Sequence, residues 1–178
     1  TRLRCDWSSD VCSSDLSTRQ DFVARFGGVF EHSPWIAEAA YDGGLPDALT
    51  VDGVHGLLCA VLRTASRAAK LALIVAHPDL AGKLSRAGTL TAASSAEQAS
   101  AGLDSLSDKD FQHFTTLNAA YTLRFAMPFI MAVKGCHTDV ILAAFETRLL
   151  NDRQTEFATA LSEIEKIALL RIQEIMTP

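Results

Sequence analysis

The stretch DRQTEFATALSEIEKIALLRIQEIM, residues 152–176, carries the clearest helical period in the chain and decides the fold class. With about 100° per residue and Ile164 at the centre, most of its apolar side chains fall within about 60° on either side. Arg171 falls about 20° from the centre, in the middle of the apolar face. The pattern therefore predicts a long helix that packs on a core and carries a guanidinium group on its packed face. The apolar face is made by Phe157, Leu161, Ile167, Ala168 and Ile175.

A guanidinium group on a core face is unfavourable unless it has an anionic or hydrogen-bonding partner. Arg171 is structural if its charged end reaches solvent or pairs with an internal carboxylate. It is functional if the guanidinium group faces a pocket and binds a small anion there. The residue pattern leaves both interpretations open.

The rest of the chain shows further helical patterns separated by Gly, Pro, Ser and Asp. The only β-like run is FIMAVKG, residues 129–135, and a single strand cannot make a sheet. A length of 178 residues suits one domain. We therefore predict an all-α, single compact multi-helix domain with about eight helices.

The first sixteen residues, TRLRCDWSSDVCSSDL, have neither a helical nor a strand period and repeat the triplet SSD. They look like translated sequencing-adapter DNA and lack the apolar core of a signal peptide. We interpret residues 1–16 as a non-native tail and residues 17–178 as the domain.

Charge and composition exclude several classes of function. The net charge is −5 and the basic residues are scattered, which argues against nucleic acid as a partner. No apolar run approaches the roughly 18–20 residues that span a bilayer, so no membrane partner is expected. The four cysteines and five histidines lack metal-ligand spacing, so we expect no metal site and a reduced, cytoplasmic protein.

The stretch LALIVAHPDLAGKL, residues 71–84, ends an apolar run at His77-Pro78-Asp79. The residue before a proline leaves the α region, so His77 can be no more than a helix boundary. An imidazole at such a break can also exchange protons near neutral pH. The triplet superficially resembles the HPD motif of co-chaperone J-domains, although Ala76 stands where those domains usually carry a tyrosine.

A second candidate region is SSAEQASAGL, residues 94–103. Ser94 and Glu97 have the spacing of a capping box, which needs no further chemistry. The N-terminus of a helix also offers free N–H donors to an anion. The segment can therefore cap its helix, bind a ligand, or do both.

These motifs together resemble the 2-oxo-4-hydroxy-4-carboxy-5-ureidoimidazoline (OHCU) decarboxylase family. The resemblance runs from about residue 22 to residue 171 and rests on the order and spacing of several segments. One departure is RFAMPF, residues 124–129, where the family often shows a glycine and an aromatic residue instead of Ala126 and Met127. The segments are FGGVFEHSPWIAEAA, KLALIVAHPDLAGKL, SSAEQASAGL, FTTLNAAYTLRFAMPFIMAVKG and ETRLLNDRQTEFATALSEIEKIALLRI.

The resemblance implies a cytoplasmic, homodimeric, all-helical enzyme without a cofactor. It would decarboxylate an anionic ureidoimidazoline to (S)-allantoin in urate degradation. His77 and Glu97 would be catalytic, with Glu97 orienting either His77 or the ureido group, and Arg171 would hold an anionic or carbonyl oxygen. The remaining substrate-binding residues would be Pro78, Ser94, Ser95, Ala96, Gln98, Phe129, Ile130, Met131, Ala132 and Val133. The alternatives are a non-catalytic helical binding module, an HPD-type interaction protein, and another small-molecule lyase or hydrolase of the same fold.

Overall fold

The computed structural model of the chain describes residues 18–82 and 90–177. The proposed non-native tail, residues 1–16, lies outside these ranges. Within them the chain forms eight helices and no strand, so the predicted all-α class is confirmed. The helices are α1 (Arg19–Phe26), α2 (Trp35–Asp42), α3 (Val51–Thr64), α4 (Arg67–Ala76), α5 (Ala92–Ser100), α6 (Asp108–Phe125), α7 (Thr138–Arg148) and α8 (Arg153–Met176).

Helix α8 is the 24-residue helix predicted from its period, and it packs against α3 and α4. Asp152 caps it, because one carboxylate oxygen accepts from the backbone N–H groups of Gln154 and Thr155 at 2.8 and 2.9 Å. The buried side of α8 includes Ile164 and Ala168, and Arg171 lies among them with 4% of its surface exposed. The helical wheel therefore placed Arg171 correctly on the packed face.

Helix α6 ends at Phe125, and the following residue, Ala126, adopts the left-handed conformation with φ of +57°. Its N–H donates to the carbonyl oxygen of Thr122, so the turn satisfies one of the last helical carbonyls. The chain then runs through 128–133 without regular structure and enters α7 after a turn. The β-like run therefore forms an extended connection between two helices.

Aromatic side chains fix this extended connection to the core. The Phe129 ring stacks on Phe145 of α7, with 3.6 Å between ring centroids. Tyr121 of α6 meets both rings edge-on. Ring packing therefore fixes Phe129 against α6 and α7 although the connection has no regular secondary structure.

None of the described helices is both long and apolar enough to cross a membrane.

Candidate active site

His77 ends helix α4 because Pro78 follows it, and its backbone is extended, as the sequence predicts. Only 8% of the residue is exposed. The ring Nδ1 lies 2.9 Å from the carbonyl oxygen of Leu73, one turn back in α4. This carbonyl can only accept, so Nδ1 carries the proton and Nε2 of the neutral ring is left as an acceptor.

Burial lowers the pKa of His77 below its ordinary value. The hydrogen bond to Leu73 and the negative charge of Glu31 raise it, while the charges of Arg171 and His32 lower it further. Burial prevails, so His77 is neutral at neutral pH and can accept a proton at Nε2.

Helix α5 presents Ser94, Glu97 and Gln98 on one side. The predicted capping box is wrong, because Thr91 is the N-cap and its side chain accepts from the backbone N–H of Ser94. Ser94 instead lies inside the helix, where its hydroxyl is free for other contacts. Thr91 offers the same capping chemistry three residues earlier, and the helix therefore begins after Thr91.

Arg171 reaches from α8 to α5. Its Nε and Nη2 donate to the two carboxylate oxygens of Glu97 at 2.6 and 2.9 Å, which makes a two-point ion pair. Nη2 also donates to the hydroxyl of Ser94 at 3.3 Å. Glu97 is thus joined to Arg171, and no hydrogen bond joins it to His77 within the described part of the chain.

Glu31 is a second carboxylate at this site, and the sequence analysis did not single it out. It lies between α1 and α2, and its oxygens accept from Thr91 at 2.8 Å, Ser94 at 3.0 Å and Nη1 of Arg171 at 3.1 Å. Burial alone would raise the pKa of Glu31, but these hydrogen bonds and the charge of Arg171 lower it. The available signal for a buried carboxylate was an acid directly after the apolar pair Val29-Phe30.

Gln98 connects helix α5 to the turn that follows His77. Its Oε1 accepts from the backbone N–H of Ala81 at 3.0 Å, and its Nε2 lies 3.4 Å from the carbonyl oxygen of Asp79. Ala81 adopts a left-handed conformation with φ of +50°. Gln98 therefore fixes the position of the His77-Pro78 turn relative to Ser94 and Glu97.

The extended connection makes the opposite wall of the site. Nη1 of Arg148 donates to the carbonyl oxygen of Ile130 at 2.6 Å, and Glu163 accepts from the N–H of Ala132 at 2.9 Å. No other described residue bonds to the backbone N–H or carbonyl of Met131, a residue that lines the pocket. Arg148 is itself paired with the buried carboxylate of Glu156 at 2.5 Å.

One pocket of about 340 Å³, its open mouth included, brings most of the predicted residues together. Ser95, Ala96 and Ala132 do not line it; the first two are exposed on α5. Leu80 and Ile167 add apolar surface that the sequence analysis did not assign to the site. The predicted residues that line the pocket are His77, Pro78, Ser94, Glu97, Gln98, Phe129, Ile130, Met131, Val133 and Arg171.

Among the described residues, no three side chains of the metal-binding types converge on a common point. The pocket lining offers a neutral imidazole, one carboxylate, one guanidinium group, a hydroxyl and an amide, and the carboxylate of Glu31 contacts the guanidinium group from outside the lining. Such a set can exchange protons and bind a small polar ring.

A sequence profile described as OHCU decarboxylase matches residues 16–173. The chain belongs to the OHCU decarboxylase family. The family resemblance drawn from the motifs is therefore confirmed, and the match includes every residue that lines the pocket.

Two relatives show how the family match extends along the chain. The 2-oxo-4-hydroxy-4-carboxy-5-ureidoimidazoline decarboxylase of Haloferax volcanii is 44% identical over 153 residues, which are 86% of this chain and 88% of that protein. The uric acid degradation bifunctional protein of Bacillus subtilis is 37% identical over 168 residues, which are 94% of this chain and 32% of that protein. The same OHCU decarboxylase unit thus occurs alone and within a longer chain.

Two solved structures share the fold of this OHCU decarboxylase family member. The crystal structure of (S)-allantoin synthase superposes with a TM-score of 0.72 at 29% identity, covering 89% of this chain and 50% of that chain. An OHCU decarboxylase crystallised in the presence of (S)-allantoin superposes with a TM-score of 0.65 at 20% identity, covering 81% and 92% of the two chains. The second likeness bears on the fold alone.

Proposed function

We propose that this protein converts OHCU to (S)-allantoin and CO2 in urate degradation, without a cofactor and as a cytoplasmic homodimer. The observation that carries the proposal is the pocket of an OHCU decarboxylase family member in which His77, Glu97 and Arg171 converge. These residues come from α4, α5 and α8, and each lay on a motif of the family resemblance.

The substrate itself can accept the electrons that decarboxylation releases. Its name places the carboxyl and hydroxyl groups together on C4 and the ureido arm on C5, the carbon of the ring C=N bond. When the C4–carboxyl bond breaks and CO2 leaves, the electron pair forms a C4=C5 bond, and the C=N pair moves to the ring nitrogen. That nitrogen takes up a proton, so no external electron sink is needed.

A second proton transfer completes allantoin. The C4 hydroxyl loses its proton as its oxygen becomes a carbonyl, and the C4=C5 pair takes a proton at C5. The overall reaction of the substrate carboxylate consumes one proton and releases one CO2. Addition of the proton to one face of C5 gives a single enantiomer.

His77 suits the second proton transfer. Its neutral ring, with Nδ1 donating to Leu73, has Nε2 available to accept the proton of the C4 hydroxyl. The resulting imidazolium can then deliver that proton to C5 from the same wall of the pocket. Because His77 is buried, its position limits delivery to one face of the ring.

Arg171 and the α5 side chains suit the oxygen and ureido groups. All five N–H bonds of Arg171 already have acceptors, namely Glu97, Glu31, Ser94 and the carbonyl oxygen of Val29. An anionic oxygen of the substrate must therefore replace one of them. Glu97 is the partner that can yield, and once released its carboxylate can accept from ureido N–H groups.

The alternative functions receive less support. A co-chaperone would present its HPD triplet to a protein partner, whereas His77 here is buried and bonded to Leu73. A non-catalytic binding module would gain little from a neutral buried imidazole in the same pocket as the ion pair of Glu97 and Arg171.

The direct test generates the unstable substrate from urate with urate oxidase and hydroxyisourate hydrolase. The protein is then added, and allantoin is followed by circular dichroism. We expect optically active allantoin to appear faster than in the uncatalysed mixture, and dialysis against a chelator to leave the rate unchanged. An unchanged spontaneous rate that ends in racemic product would refute the proposal. Light scattering coupled to gel filtration tests the dimer, which should have twice the mass of the chain.

A further inference from the structure

Glu31 is a buried carboxylate whose side-chain hydrogen bonds all go to the cap and the polar residues of α5 and to Arg171. It comes from the turn between α1 and α2, a part of the chain that supplies no residue to the lining of the pocket. A buried carboxylate is unfavourable without partners, and here Thr91, Ser94 and Arg171 supply them. Its contacts therefore tie a remote turn to the polar end of the pocket.

The hydroxyl of Ser94 has its direction set by Glu31. A serine hydroxyl has one proton, and this proton is directed to Glu31, because carboxylate oxygens only accept. Nη2 of Arg171 donates to the same hydroxyl oxygen, which uses one lone pair. The remaining lone pair can meet a ligand only as an acceptor, as a ureido N–H group requires.

The two carboxylates on Arg171 differ in how easily they can leave. The Glu97 side chain is 16% exposed and lines the pocket, whereas the Glu31 side chain is 2% exposed and does not line it. Glu31 also has the hydroxyl groups of Thr91 and Ser94 on it, so releasing it would break three hydrogen bonds. Glu31 is the partner that stays when a ligand replaces Glu97.

We propose that Glu31 is a positioning residue that fixes the guanidinium group of Arg171 and the hydroxyl of Ser94 for the substrate. This inference deepens the proposed function and rests on it for the identity of the substrate. With Glu31 in place, Arg171 keeps one counter-ion while it exchanges the other. The cost of opening the Arg171–Glu97 pair is lowered because the guanidinium group is never left without an anion.

The kinetic test is a double-mutant cycle between Glu31→Gln and Arg171→Lys, with Glu38→Gln as the matched control. The Glu38 side chain is 41% exposed and pairs with Arg19 at the surface. We expect Glu31→Gln to lower kcat/KM by about 10²-fold through misplacement of the groups it holds, and Glu38→Gln to leave it unchanged. In the Arg171→Lys background, Glu31→Gln should cost less than about threefold. An equal factor in both backgrounds would show that Glu31 does not act through Arg171.

A second measurement does not depend on turnover. In protein with ¹⁵N-labelled arginine, the Nη signals of Arg171, assigned with the Arg171→Lys variant, should be separate because its hydrogen bonds hinder rotation. Glu31→Gln should broaden or merge them, and Glu38→Gln should not. Unchanged Arg171 signals in Glu31→Gln would overturn the inference, whether or not the protein decarboxylates OHCU. Should the Gln variant fail to fold, Glu31→Asp, which keeps the charge on a shorter side chain, should shift the same signals.

Discussion

Nη1 of Arg148 donates to the carbonyl oxygen of Ile130 at 2.6 Å, so an ion pair outside the pocket fixes one of its walls. The same guanidinium group pairs with Glu156, whose side chain is fully buried, and lies over the Phe129 ring at 4.3 Å. Tyr121 and Asn151 also donate to Glu156. A buried ion pair outside the pocket lining thus helps to set the course of the extended connection.

Replacing Arg148 with lysine should destabilise the fold and weaken activity together. Lysine cannot bond Glu156 and Ile130 in the same forked geometry, and a buried carboxylate that loses its partner typically costs about 3–5 kcal/mol. Urea unfolding of Arg148→Lys should therefore show a loss of about 3 kcal/mol. The control is Arg63→Lys, whose side chain is 64% exposed and pairs with Glu165 at the surface, with an expected loss below about 1 kcal/mol. Similar losses in the two variants would argue against a central role for Arg148.

Replacing His77 with asparagine should remove proton transfer and spare the fold. A positioned acid–base group is typically worth about 10²–10⁴ in rate, so kcat should fall by that factor. His113→Asn, on the exposed side of α6, should turn over normally. Circular dichroism of substrate turnover gives the rate, and the far-ultraviolet spectrum checks the helices. Turnover of His77→Asn near the unmodified rate would remove His77 from the mechanism.

Acid should destabilise the protein partly through His77. Its pKa is lowered below the ordinary 6.5, so the unfolded chain binds this proton more tightly than the native protein does. The contribution of His77 to the free energy of unfolding is present above about pH 6.5. It is lost as the pH falls toward the lowered pKa, by at most about 1.4 kcal/mol per pH unit. We therefore expect urea unfolding between about pH 7.5 and about pH 5 to show a smaller loss of unfolding free energy for His77→Asn than for the unmodified protein.

Glu31 extends this acid sensitivity to lower pH. Its pKa lies below the ordinary 4.5, so its contribution to the free energy of unfolding is present above about pH 4.5 and is lost as pH falls further.

The prediction for His77 is contradicted if the unfolding free energies of the unmodified protein and His77→Asn fall equally with pH above about pH 5. His77 would then titrate alike in the native and unfolded chains.

Glycine at position 126 should stabilise the end of α6. Ala126 has φ of +57°, where a side chain costs about 1–2 kcal/mol relative to the right-handed region. Glycine removes that cost but makes the unfolded chain more flexible, which leaves a net gain of about 0.5–1 kcal/mol. The same change at Ala120, exposed in the middle of α6, should lose about 1 kcal/mol. The midpoints of thermal unfolding of the two variants should shift in opposite directions. Shifts of the same sign would contradict backbone strain at Ala126.

Local periodicity was enough to place some of the site. Arg171 was located by the period of α8, and the break at His77 followed from Pro78. On helix α5, Ser94, Glu97 and Gln98 share a face because residues three and four apart are neighbours. The same rule turns Ser95 and Ala96 away, so their inclusion among the predicted binding residues ignored information that the sequence contained.

Other parts of the site depend on pairings between distant residues. Glu31 meets Arg171 across 140 positions, and no local pattern reports such a contact. Ser94 looked like a cap because Glu97 follows it at the right spacing, yet Thr91 caps the helix and Arg171 engages Glu97. In both cases more than one residue could have made the contact, and only the folded structure shows which residue makes it.

The hydrogen bond from Nδ1 of His77 to the carbonyl oxygen of Leu73 has a consequence for how the family can diverge. Every amino acid carries a backbone carbonyl, so no substitution at position 73 that preserves α4 can delete the acceptor. The protonation pattern of the imidazole is thereby protected from mutational drift at the residue that sets it. The side chain at position 73 is constrained by packing in the core, but the proton acceptor on the imidazole does not depend on which side chain stands there.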